Sequence, residues 1–134
     1  MTYTDQKFAE KFLACINRIK GFELNFQEIH WLTDKSEIHQ STENIQWDLR
    51  SMVDSITEQY MALTSRTVFG EKFFTPTIEV RDYNETLEDR KKFAANFKKF
   101  IEKYNTDNKL SGISSRIDQL IENTLVNTYR SPLM

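Results

Sequence analysis

Five residues with metal-ligating side chains, His30, His39, Glu43, Asp54 and Glu58, stand at spacings that two adjoining helices can use. His30 and His39 are the chain's 2 histidines. They bracket a short turn between two helical segments, so both imidazoles belong to one neighbourhood. His39 and Glu43 are four positions apart, as are Asp54 and Glu58. An i,i+4 pair on a helix can hold one metal ion between its side chains. At about 100° per residue, counted from Ile38, His39 falls near 100°, Glu43 near 140°, Asp54 near 160° and Glu58 near 200°. All four occupy one flank beside the apolar stripe rather than opposite it.

His39 and Glu58 are separated by roughly 28 Å along a helix axis, so the two pairs cannot share a metal within one chain. They can share one if two copies of the second helix run antiparallel about a two-fold axis near Trp47 to Arg50. Each site then takes His30, His39 and Glu43 from one subunit and Asp54 and Glu58 from the other. Trp47 lies on the same flank, and with Trp31 and Arg50 it is the expected interface, a large aromatic beside a symmetric helix contact. Two imidazoles with carboxylates suit iron, manganese or zinc, and are too nitrogen-rich for calcium or magnesium.

The elements that must position these residues are legible in the apolar periodicity. Phe8, Phe12, Ile16, Ile19, Phe22, Phe26 and Ile29 recur at three- and four-residue steps, predicting a first helix over about 5–31. A second is predicted over 36–63, with Ile38, Thr42, Ile45, Leu49, Met52, Ile56, Tyr60 and Leu63 inward and a capping box, Asp34 to Glu37, ahead of it. A third is expected over 86–104, with Leu87, Phe93, Ala94, Phe97, Phe100, Ile101 and Tyr104 on one face. A fourth is expected over 110–129, with Ile113, Ile117, Leu120, Ile121 and Leu125 inward. Between them, 64–85 is broken by Gly70 and Pro76 and reads as a crossover long enough to span a bundle lengthwise. Helices two and three then run parallel. The expectation is a single domain over 1–134, an all-α, ferritin-like four-helix bundle.

Composition supports this and narrows the function. With 134 residues the chain is one domain's length, and 3 glycines and 2 prolines are too few turn formers for an all-β sandwich. The single Cys15 cannot make an internal disulfide and sits in an apolar stretch, as a buried free thiol does. No run has the length of a membrane span, and the first residues lack a signal peptide's basic and apolar regions. A cytoplasmic protein is therefore expected. The formal net charge of −2 gives no pull toward nucleic acid, and Lys91, Lys92, Lys98, Lys99 and Lys103 read as a solvated helix surface. Nucleophile motifs, phosphate-binding glycine loops and zinc-finger spacings are absent. A di-iron centre within one chain needs Glu-x-x-His on two helices, but Gln27 and Ser36 stand three before the histidines.

The pattern of His30-Trp31, His39, Glu43, Asp54 and Glu58 resembles the Dps-type miniferritins, ferritin-like proteins that protect DNA in starved bacteria. In that family a His-Trp ends helix one, a His opens helix two, an acid follows four later, and an Asp and a Glu follow at plus fifteen and plus nineteen. The match covers the first two helices. The turn differs: the histidines stand closer together than is usual, without a Gly-Pro turn, and Glu43 replaces the commoner Asp. The resemblance implies an inter-subunit ferroxidase site that oxidises Fe(II) with peroxide or oxygen. It also implies a homo-oligomer, at least a two-fold dimer and typically a dodecameric iron-storing shell, serving in oxidative stress. The Lys-rich tail by which some members bind DNA is not seen, so direct DNA binding is not expected. The alternative reading is a non-enzymatic helical oligomerisation protein on the same scaffold, with a degenerate or structural metal site.

Overall fold

Apolar residues at three- and four-residue steps form helices when they can bury a common face. The computed structural model describes residues 1–64 and 82–134 and has four: α1 (Gln6–Leu32), α2 (Ser36–Leu63), α3 (Tyr83–Tyr104) and α4 (Ser111–Arg130). A single 3-10 turn at Ser131–Leu133 follows, and no strand occurs among the described residues. The expected crossover falls, over 65–81, outside the described residues.

One boundary and one cap differ from expectation, each for a local reason. Helix α3 begins at Tyr83 rather than near Thr86, because the Asp82 carboxylate accepts the Glu85 backbone N–H at 2.7 Å and caps the helix. The capping box ahead of α2 does not form: Lys35, not Asp34, is the N-cap, and no side chain caps there. The turn is tied one residue later. Thr33 Oγ1 accepts the Lys35 N–H at 3.2 Å, and the helix opens on the His39 N–H to Lys35 carbonyl bond at 3.0 Å.

Helix α1 packs along α2, and α3 along α4, as two antiparallel hairpins. Contacts at the helix ends fix how the hairpins combine. The Tyr83 hydroxyl, at the start of α3, is 2.8 Å from Ser41 Oγ at the start of α2, and its ring is 6.2 Å from Phe26 near the end of α1. Phe100 and Tyr104, at the end of α3, lie 4.7 and 5.4 Å from Phe8 at the start of α1. Helices α2 and α3 therefore run parallel, and α3 begins at the end of the bundle opposite to where α2 stops. This is the ferritin-like arrangement.

The core follows the predicted stripes, with Phe8, Phe12, Phe22, Phe26, Ile45, Leu49, Ile56, Leu87, Phe97, Ile101 and Ile117 buried. Burying one such side chain contributes about 1.5–3 kcal/mol. Leu125 is a correction: it is 50% exposed, while its neighbour Thr124 is buried. The Thr124 hydroxyl donates to the Leu120 carbonyl at 2.6 Å, so this polar residue needs no water and takes the inward position. Arg90 is a second departure, a guanidinium within the apolar stripe at 1% exposure. No helix among the described residues is long and apolar enough to cross a membrane.

Candidate metal centre

The last carbonyls of a helix have no partner within it. At the end of α1 one of them, the His30 carbonyl, is met by His39 Nδ1 at 2.9 Å. The contact is reciprocated: His30 Nδ1 lies 2.8 Å from the His39 carbonyl and 3.1 Å from Thr42 Oγ1. The two rings stack, with centroids 3.7 Å apart and planes at 21°. The nine-position spacing that departs from the miniferritin pattern thus folds into a closed clasp across the α1–α2 turn.

The clasp decides which nitrogen is free. A carbonyl oxygen only accepts, so each of these contacts favours the ring form that carries its proton on Nδ1. In the neutral ring, Nε2 then keeps its lone pair. A metal-binding imidazole is commonly held this way, with one nitrogen donating to a carbonyl and the other facing the metal. His30 is half-buried and His39 is exposed.

His30 opens onto a surface cleft of about 230 Å³ lined also by Trp31, Glu43, Gln46, Trp47 and Arg50. Trp31 and Trp47 are 68% and 62% exposed, so the interface expected from sequence presents two large aromatic rings to the surface. Arg50 is held at the rim: its Nε donates to Glu23 Oε1 at 3.1 Å, and its guanidinium lies 5.1 Å from the Trp47 ring centre. Further along the α1–α2 groove, Asp54 and Glu58 line a second hollow of about 270 Å³ with Lys20, Val53 and Thr57. Both carboxylates are exposed.

The five residues therefore fall into two groups along the hairpin. His30 and His39 touch, and Glu43 shares the His30 cleft; Asp54 and Glu58 form the other group. Among the described residues no three His, Cys, Asp or Glu side chains of one chain come close enough to hold a metal ion.

Other titratable groups carry structural rather than ligating roles. Burial pushes the half-buried Cys15 thiol up to about 12, which leaves it unreactive at neutral pH. Lys98, expected on the solvated surface, instead bridges α3 and α4: its Nζ lies 3.0 Å from Asp118 Oδ2 and 3.3 Å from Glu102 Oε1, and it also bonds Ser114 Oγ. Lys91, Lys92, Lys99 and Lys103 are exposed.

Sequence reasoning missed two polar residues at this end of the bundle. Thr42 was expected only as part of the inward stripe, yet its hydroxyl joins the clasp. Arg90 lies over the Phe26 ring, 5.3 Å from its centre, and among the described residues its Nε and Nη2 have no hydrogen-bond partner. Burial pulls its ionisation down to about 10, against the opposing influence of Tyr83 and Asp48. Its position between Leu87 and Ala94 on the apolar stripe was the available signal.

No protein-family model matches the chain, and neither does any curated protein or solved structure.

Proposed function

We propose that the chain is a Dps-like iron-binding protein whose metal sites form between two subunits. In this reading two copies pair through antiparallel α2 helices, with Trp47 and Trp31 covered and Arg50 near the two-fold axis. His30, His39 and Glu43 then face Asp54 and Glu58 of the partner subunit. Fe(II) is the substrate: two Fe(II) ions each lose one electron, and one hydrogen peroxide accepts both and leaves as two hydroxides. The imidazoles bind Fe(II) through Nε2, and the carboxylates stabilise the Fe(III) that forms.

The observation that carries the reading is the histidine clasp. It turns both Nδ1 atoms to backbone carbonyls and sets His30 in the cleft that Glu43 also lines. Borderline nitrogen with hard oxygen is a donor set that suits iron, with zinc and manganese as competitors. The exposed tryptophans supply the apolar contact that pairing needs. Assembly of the dimers into a dodecameric shell belongs to the same proposal.

One feature favours the alternative, a non-enzymatic scaffold. The clasp satisfies its own carbonyls without a metal, so it also serves simply to close the α1–α2 turn. Titration with Fe(II) and peroxide separates the two. The ferroxidase reading expects ferric absorbance that Asp54→Ala and Glu58→Ala abolish, from a particle at least dimeric by light scattering. No ferric signal, or variants that behave like the parent, would leave the scaffold reading in its place.

A further inference from the structure

Thr42 is fully buried on α2, three residues beyond His39. Its hydroxyl has one proton and two carbonyl acceptors near it, Ile38 at 2.8 Å and His39 at 3.0 Å. With that proton directed at a carbonyl, Oγ1 has only lone pairs to offer His30 Nδ1, 3.1 Å away. His30 Nδ1 thus faces two acceptors, this hydroxyl and the His39 carbonyl, whereas His39 Nδ1 faces one, the His30 carbonyl. The two rings are not equivalent, and the difference is made by Thr42.

We infer that Thr42 is a positioning residue: it locks the His30 ring in its Nδ1–H form and so keeps Nε2 bare toward the cleft shared with Glu43. The inference deepens the metal reading and rests on it for its consequence, though not for the state of the ring. A neutral imidazole in an open site exchanges freely between its two proton positions. A second acceptor at Nδ1, buried and fixed by the helix, removes that freedom. His30 is then presented with its lone pair already in place, while His39 has one acceptor fewer at its Nδ1. Val at position 42 retains the shape and removes the oxygen. Ser removes a methyl and retains the oxygen.

The experiment reads the ring directly. Nitrogen-15 NMR of the imidazoles in metal-free protein near pH 8 is expected to show His30 in the Nδ1–H form alone. Thr42→Val is expected to give His30 a population of the Nε2–H form, with His39 changed less, and Thr42→Ser is expected to restore the parent signature. Zn2+, added alone and followed by calorimetry, is expected to bind Thr42→Val about tenfold more weakly, the usual effect of removing a group that orients a ligand. A His30 ring in Thr42→Val that matches the parent, or a parent ring already in the Nε2–H form, would overturn the inference whatever metal binds. If the ring responds as expected but the parent takes up no Zn2+, the tautomer assignment stands and the metal reading fails.

Discussion

Where α1 begins and α2 stops, the bundle is filled with aromatic rings; where α1 stops and α2 begins, polar groups gather around Phe26 and Tyr83. At the first end Phe8 lies 4.7 Å from Phe100 and 5.7 Å from Tyr60, and Phe12 lies 4.4 Å from Tyr60. The Tyr60 hydroxyl there donates to the Tyr3 carbonyl at 2.6 Å. At the second end stand the stacked histidines, the Thr42 hydroxyl, the Ser41–Tyr83 hydrogen bond and the buried Arg90. Apolar contact is non-directional and tolerates small shifts, whereas a hydrogen-bonded ring pair is defined by a few atoms. One end is suited to holding the helices together and the other to holding side chains in set orientations. The polar end holds the histidine half of the proposed site, while Asp54 and Glu58 lie along α2 toward the aromatic end.

Substitutions should separate the two ends. The largest stability effect is expected at the aromatic end. Phe12→Ala removes a fully buried ring and is expected to cost about 3–5 kcal/mol in a urea melt. The histidine clasp should survive in the folded fraction. A cost below about 1 kcal/mol would mean that the aromatic cluster is not the main anchor. At the polar end the sign should reverse. Arg90→Met replaces a buried guanidinium, two of whose nitrogens have no partner among the described residues, with an apolar chain of similar length. It is expected to stabilise by about 1–3 kcal/mol, seen as a raised melting temperature. A variant that melts lower would show that the guanidinium has a use worth its desolvation, and would blur the contrast. The Thr42→Val substitution sharpens it most finely, because its expected effect is a change of ring tautomer with little change in stability.

Much of this fold was legible in the residues, for a simple reason. Long helices with large aliphatic and aromatic side chains repeat the same spacing many times, so single exceptions do not hide the period. The ends were less legible. Asp34 and Glu37 have capping spacing, but Thr33 ties the turn one residue later, and pairwise spacing cannot rank two local competitors. The Asp82 to Glu85 cap was visible in principle and extends α3 backward by three residues from the expected Thr86. At the candidate site the grouping of His30 with His39 followed from the short turn alone. The stack itself, the reciprocal carbonyl bonds and the part played by Thr42 depend on how the helices meet, and a one-dimensional pattern does not contain that. Arg90 and Thr124 teach the same lesson in the core. A polar residue on an apolar stripe is read as an interruption, until the structure shows which neighbours receive it.

The central claim is that each metal site draws on two chains, and mixing two damaged chains tests it most directly. His30→Gln spoils both sites of its own dimer, and so does Asp54→Asn. Refolded together in equal amounts, half of the dimers are mixed, and each of these holds one site with both residues intact. Ferric absorbance with Fe(II) and peroxide is therefore expected to return to about one quarter of the parent value, from two preparations that each give none. A mixture as silent as its components, when both variants still form dimers, would contradict a shared site.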